Sequence, residues 1–171
     1  MDARDKSLGE AALRFLCRGT QIVGARWYAG NFFIEIEPVR RSPLMQSQGA
    51  PPGDLLLTVE SRWTVYPRRP DHLPRREEEL PALSLEERLI ALARLADQDI
   101  VDASLGDHNP HLILTFASGS VFFLNGYDEA YECWNLAMVD DLEGFRWSIV
   151  AVPGGDIALF IPKDFSRLQE G

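Results

Sequence analysis

The chain has 171 residues, of which 46% are hydrophobic and 25% charged, a composition typical of a soluble globular protein. Its net charge of −9 argues against nucleic acid and anionic membrane surfaces as partners, because both attract cations. No apolar run is long enough to span a bilayer and none resembles a signal peptide, so we expect a cytoplasmic protein with one domain over residues 1–171.

The N-terminal segment predicts a helix followed by a hairpin. Ser7 and Glu10 have capping-box spacing, which predicts a helix that begins at Ser7 and ends near Cys17. Two strands with alternating apolar and polar residues follow, and a tight turn at Ala29-Gly30-Asn31 joins them. The strands lie near Gln21–Tyr28 and Phe32–Glu37.

Two Pro-rich loops, near 38–53 and 67–82, flank the next predicted strand. This strand covers Asp54–Tyr66 and bends near Ser61. The second loop contains four arginines followed by three glutamates, so it is nearly self-neutralising and typical of a solvated loop. The arginines are Arg68, Arg69, Arg75 and Arg76.

A second helix follows, with Ser84 and Glu87 as its capping box. Its apolar residues recur at helical spacing and predict one stripe that faces a core, with Arg88 and Arg94 away from it. The stripe consists of Leu85, Leu89, Leu92 and Ala96.

The remaining chain is rich in predicted strands, and Ala117–Ser120 and Pro153–Gly155 have the composition of hairpin turns. The strands lie near Ile100–Leu105, His111–Phe116, Val121–Asn125, Tyr131–Met138, Arg146–Val152 and Asp156–Ile161. Because the helices are sparse and do not alternate with the strands, we predict an α+β fold. It has a mostly antiparallel, curved or partly closed sheet with two packed helices.

Negative charge is concentrated in the second half of the chain. Residues 1–80 carry a net charge of +1 and residues 81–171 a net charge of −10, and no Lys or Arg lies between Asp99 and Phe145. Such a run can be a solvated acidic surface, or it can attract a basic partner and speed the encounter.

One segment of this acidic run is also aromatic, and we predict that it binds a basic protein. Its residues are Tyr127, Asp128, Glu129, Tyr131, Glu132 and Trp134. In a strand over Tyr131–Met138, Glu132 and Trp134 would share a face. The alternative is that Trp134 belongs to the core and Glu132 pairs with a cation such as Arg146.

A small enzyme is the competing hypothesis. His108, His111 and nearby carboxylates are residue types that bind zinc or iron or serve as acids and bases, although Pro110 predicts a turn between the two histidines. No Walker loop, Gly-x-Ser-x-Gly or Gly-x-Gly-x-x-Gly motif is present, and we predict no cofactor. A subunit that acts as a homodimer is a third hypothesis.

The runs Leu112–Gly119, Asn125-Gly126, Tyr131–Trp134 and Pro153–Gly155 resemble those of a family of small, functionally uncharacterised bacterial proteins. The shared pattern is a Phe-x-x-Gly hairpin, a Tyr-Glu-x-Trp strand and a late Pro-Gly-Gly turn, and it covers Leu112 to Phe160. Such proteins look like neighbours of the immunity proteins of bacterial toxin systems. The resemblance implies a bacterial immunity protein that neutralises a basic toxin.

Overall fold

The computed structural model describes residues 1–39, 53–139, 147–163 and 165. These residues form two α-helices and ten strands, with a 3-10 turn at Glu77–Glu79. The elements are α1 (Ala3–Cys17), β1 (Thr20–Tyr28), β2 (Asn31–Pro38), β3 (Leu55–Val59), β4 (Trp63–Tyr66), α2 (Leu85–Ala93), β5 (Ile100–Leu105), β6 (Leu112–Phe116), β7 (Val121–Leu124), β8 (Trp134–Met138), β9 (Ser148–Val152) and β10 (Asp156–Phe160). Most of the first Pro-rich loop, near 38–53, lies outside the described residues.

The described strands form two antiparallel sheets, which confirms the predicted α+β antiparallel class. One sheet has the order β1-β2-β3-β8-β9-β10 and the other β4-β7-β6-β5. The strands divide between two sheets where the sequence predicted one, and neither sheet closes into a barrel. Among the described helices, none has the length and apolar character that crossing a membrane requires.

The division between the sheets begins at the predicted bend near Ser61. Instead of one long strand, the chain forms β3 and β4, which belong to different sheets. On one side of the break the Glu60 amide donates to the Cys133 carbonyl (3.0 Å), and on the other the Arg62 carbonyl accepts from the Asn125 amide (2.9 Å). Ser61 therefore lies where the chain passes from the six-stranded to the four-stranded sheet.

The predicted start of α1 is wrong, because an earlier residue caps the helix. The Asp2 carboxylate accepts hydrogen bonds from the amides of Arg4 (2.8 Å) and Asp5 (2.9 Å), so the helix begins at Ala3. Ser7 consequently lies inside the helix and forms no capping box with Glu10.

The predicted capping box of α2 is confirmed. The Ser84 hydroxyl accepts from the Glu87 amide at 3.2 Å, and the Glu87 carboxylate accepts from the Ser84 amide at 2.8 Å. The predicted stripe is only partly buried, since Leu92 is buried and Leu85 is exposed. Arg88 also differs from the prediction, because its guanidinium packs 5.3 Å from the centroid of the Trp63 ring.

The largest hydrophobic cluster of the described residues includes side chains from both sheets and from α1. Trp134 is fully buried in this cluster, and its indole Nε1 donates a hydrogen bond to the Pro110 carbonyl at 2.8 Å. Strand β8 begins at Trp134, so Glu132 precedes the strand and is exposed. The two residues do not share a face, and Trp134 is a core residue, as the alternative has it. Arg146, the cation named as a partner for Glu132, lies outside the described residues.

A smaller cluster covers the opposite face of the four-stranded sheet. Ile113, Val121 and Phe123 pack there with Leu80, and Leu73 packs against them. Leu73 and Leu80 belong to the second Pro-rich loop, so this loop is not only a solvated connection. It covers one face of the four-stranded sheet.

We expect Trp134→Phe to lower the free energy of unfolding by about 1–3 kcal/mol, because the buried Pro110 carbonyl loses its hydrogen-bond donor. Urea denaturation followed by circular dichroism measures the change. Tyr131→Phe is the control, because the Tyr131 side chain is exposed, and it should change stability by less than about 0.5 kcal/mol. Equal stabilities of Trp134→Phe and the wild type would contradict the assigned role of the indole.

Candidate functional site

All the predicted binding residues except Trp134 lie on an irregular segment between β7 and β8, which we call the 125–133 loop. Its first residues are fixed by hydrogen bonds. The Asn125 carbonyl accepts from the Ser61 hydroxyl (2.5 Å), and the Asn125 side chain donates to the Tyr127 carbonyl (2.9 Å). The Gly126 amide donates to Nδ1 of His111 at 2.9 Å.

Gly126 fits closely against the Pro110–His111 segment. A Cβ atom at position 126 would lie 2.0 Å from the Pro110 carbonyl oxygen and 2.7 Å from the His111 amide nitrogen. These distances are far below van der Waals contact, and the atoms in the way are backbone atoms. Any side chain at this position would therefore displace the loop from His111.

The rest of the loop is fixed at three more places. The Asp128 carboxylate accepts from the amides of Ala130 (2.7 Å) and Tyr131 (3.0 Å), which forms a local turn. The Asp128 carbonyl accepts from the Gly154 amide in the β9–β10 turn (2.8 Å). At the end of the loop, the Cys133 amide donates to the Ala151 carbonyl at 3.0 Å. The loop thus has a defined conformation without regular secondary structure.

Five of the six predicted binding residues lie on the surface of this loop. Tyr131 is 72% exposed and Tyr127 is 38% exposed. Glu129 and Glu132 are exposed, and Asp128 is half-buried. None of these three acids forms an ion pair with another residue in the described part of the chain. Trp134 is buried, so it can contribute only by supporting the loop from below.

Two acids from the first half of the chain lie near the same loop. The pKa of Cys133 is raised to about 11, first by burial and then by the negative charges of Asp128, Glu77 and Glu60. The negative charges near Cys133 therefore come from three separate segments, and one of them, Glu77, pairs with Arg62 at 3.8 Å. Sequence reasoning missed Glu60 and Glu77 because only the fold brings them to the 125–133 loop.

The other acids of the predicted run are arranged differently. Asp102 pairs with Arg14 at 3.1 Å, and Asp107 pairs with Lys6 at 3.2 Å, so α1 supplies cations to both. Asp140, Asp141 and Glu143 lie outside the described residues. Within the described part of this run, Asp128, Glu129 and Glu132 are therefore acids that lie together on one loop without an ion pair.

All three histidines of the chain line one cavity of about 490 Å³, between the 69–75 segment and the β5–β6 turn. His72 and His108 are exposed at this cavity, and His111 is buried. No group of three His, Cys, Asp or Glu side chains among residues 1–39, 53–139 and 147–163 is arranged to hold a metal ion.

Both ring nitrogens of His111 are used within the chain. Because a backbone amide only donates, Nδ1 accepts from Gly126 and the ring proton lies on Nε2. Nε2 then donates to the Arg75 carbonyl at 3.2 Å. In this arrangement His111 joins two loops, and neither nitrogen is available to a metal or a substrate.

Comparisons of this chain with protein-family models, with curated proteins and with solved structures find no match. The resemblance to small bacterial proteins and to immunity proteins therefore stays a prediction.

The buried His111 gives the protein a characteristic pH dependence. Burial lowers its pKa below the ordinary value of 6.5, and this effect outweighs the Arg75 hydrogen bond and the charge of Glu79, which raise it. At pH values between this lowered pKa and 6.5 the unfolded chain therefore binds a proton that the folded chain does not. The free energy of unfolding should fall as the pH decreases from 7 through this range.

His111→Gln should have a smaller slope of stability against pH between about pH 7 and pH 5 than the wild type, because this titration is removed. Urea denaturation at a series of pH values measures the slope. His72→Gln, which replaces an exposed histidine, should keep the wild-type slope. The pKa values of the Asp2, Asp107 and Glu87 carboxyl groups are lowered. These groups lose their contribution to the free energy of unfolding only at more acidic pH. Identical slopes for His111→Gln and the wild type would show that His111 does not titrate as described.

Proposed function

We propose that this chain is a cytoplasmic protein-binding module that engages a basic partner protein through the 125–133 loop. The observation that carries the proposal is the combination of exposed Tyr127 and Tyr131 with Glu129 and Glu132, which have no ion-pair partner among the described residues. The loop that carries them is held by hydrogen bonds to four other segments.

The fixed backbone favours binding for a thermodynamic reason. Association costs free energy when flexible segments must be ordered, and a loop already held in one conformation avoids much of this cost. Tyrosine adds a large contact area with few rotatable bonds and a hydroxyl that can form hydrogen bonds. The loop therefore combines a preordered backbone with exposed tyrosines, and both are typical of the centre of a protein–protein interface.

The charge of the surface indicates the class of partner. Acids without local cations attract a cationic protein and increase its rate of association. A toxin nuclease is such a protein, because a surface that binds phosphates is rich in Lys and Arg. An immunity protein of a bacterial toxin system would cover that surface, and this is the specific role we propose. The bonded state of both His111 nitrogens favours this proposal over an enzyme that uses His108 and His111.

Two carboxylates of the loop can be neutralised without disturbing it. Glu129 and Glu132 form no hydrogen bond with a described residue, whereas Asp128 holds the local turn and must be kept. The test variant is therefore Glu129→Gln/Glu132→Gln. The matched control is Glu37→Gln/Glu86→Gln, which removes the same charge from exposed positions elsewhere.

The partner is first identified by quantitative affinity purification from the native host, and binding is then measured by surface plasmon resonance. Glu129→Gln/Glu132→Gln should lower the association rate by about tenfold at low salt, and the difference from the wild type should disappear at about 1 M salt, where charges are screened. Tyr131→Ala should increase the dissociation rate by about tenfold or more.

The control variant should bind at the wild-type rate. If Glu129→Gln/Glu132→Gln and Tyr131→Ala both bind like the wild type, the loop is not the interface. If the wild type retains no basic protein from its host, the proposed partner class is wrong.

A further inference from the structure

We propose that the cavity beneath the second Pro-rich loop binds a small organic anion, with its charged group at Arg69 and Arg75 and its apolar part against Pro70 and Leu73. This site is separate from the 125–133 loop and does not depend on the function proposed for it.

The cavity has the size of a small-molecule site and a mixed polar and apolar lining. Its volume of about 490 Å³ lies within the range of ligand-binding pockets. Pro70 and Leu73 are half-buried and are its more accessible apolar residues, whereas Ile113 and Phe123 lie almost fully buried behind them. The His111 ring lies 5.1 Å from the Phe123 ring, between centroids, and belongs to the same lining.

The fold separates the four arginines of the second Pro-rich loop into two pairs. Arg69 and Arg75 line the cavity, whereas Arg68 and Arg76 do not. Neither the Arg69 nor the Arg75 guanidinium forms an ion pair within 4.0 Å or a hydrogen bond with a described residue. Guanidinium groups bind carboxylates and phosphates through paired hydrogen bonds, so these two groups favour an anionic ligand.

Two of the acids at the cavity already have partners within the chain. The Glu79 carboxylate accepts from the Arg75 backbone amide at 2.9 Å, and the Asp107 carboxylate accepts from Lys6 Nζ at 3.2 Å. Arg69 is close enough to Asp107 to contribute to its lowered pKa, after the larger effect of Lys6. Asp71 is a third acid of the lining and is exposed. Glu79 and Asp71 keep their negative charges at the cavity, so the anion must be held by direct contact with the two guanidinium groups.

The backbone beneath Arg75 is held in place before any ligand binds. Its carbonyl accepts from His111 Nε2 (3.2 Å) and from the Asn109 side chain (3.4 Å). Its amide donates to Glu79. The backbone that carries the Arg75 side chain is thus fixed, which limits the ordering cost of binding.

The histidines provide a selective measurement, because every histidine of this chain lines the cavity. The full-length protein is labelled with ¹⁵N and prepared without a histidine tag, and its imidazole signals are recorded by NMR during titration with phenyl phosphate. Inorganic phosphate tests the anion alone, and benzyl alcohol tests the apolar part alone.

We expect saturable shifts of the His72 and His108 signals with phenyl phosphate, and at least about tenfold weaker binding of both inorganic phosphate and benzyl alcohol. Arg69→Gln/Arg75→Gln should weaken phenyl phosphate binding by about tenfold or more, because each lost charged hydrogen bond has this effect. Arg68→Gln/Arg76→Gln is the matched control and should bind like the wild type. The amide spectrum verifies that each variant is folded, and Arg69→Gln alone replaces the double variant if that variant is not folded.

Three results would overturn the proposal. One is the absence of saturable shifts up to about 10 mM phenyl phosphate, a concentration at which even a weak but specific site would be occupied. Another is an equal loss of binding in Arg68→Gln/Arg76→Gln, which would indicate general attraction to a basic loop. The third is equal affinity for inorganic and phenyl phosphate, which would indicate an adventitious ion only.

Discussion

A buried, neutral imidazole links the two loops on which both candidate sites depend. His111 accepts a hydrogen bond from Gly126 and donates one to the Arg75 carbonyl. The adjacent Pro110 carbonyl accepts from the indole of Trp134 in the core. Because these bonds lie in a region of low dielectric constant, leaving any of these groups without its partner is costly. The Pro110–His111 segment therefore fixes both loops relative to the hydrophobic core.

This arrangement explains how irregular segments can present defined surfaces. The 125–133 loop has no helix or strand of its own, yet its backbone is bonded to the Ser61 region, to His111 and to the β9–β10 strands and turn. Its exposed tyrosines and glutamates are then free for contacts with a partner. On the other side of His111, the same residue holds the backbone of Arg75 at the edge of the cavity. One histidine thus holds the backbone of an acidic loop and the backbone of Arg75.

Local patterns in the sequence predicted much of the fold. The capping box of α2 and the hairpins at Ala29–Asn31, Ala117–Ser120 and Pro153–Gly155 depend on neighbouring residues, and these elements appear in the structure. The start of α1 was harder to predict, because Asp2 and Ser7 are both suitable caps and local sequence does not choose between them. The division at Ser61 into two sheets depends on tertiary pairing.

The candidate sites could be predicted only in part, because they also depend on contacts between distant segments. The composition of residues 127–132 indicated an acidic and aromatic surface, and the exposed side chains agree with that pattern. Trp134 differs because β8 begins at that residue, so the alternation assumed from Tyr131 onward does not apply. The grouping of Glu60 and Glu77 with Asp128, and the separation of Arg69 and Arg75 from their neighbours, arise from contacts between distant segments.

The central claim is that the 125–133 loop is a preformed surface. Backbone ¹⁵N relaxation of the free protein tests it most directly, with residues of β6 and β7 as the internal reference for a rigid backbone. If the loop is preformed, we expect order parameters of about 0.85 along it, equal to those of β6 and β7. Values below about 0.6 between residues 126 and 132, with rigid strands on either side, would contradict it.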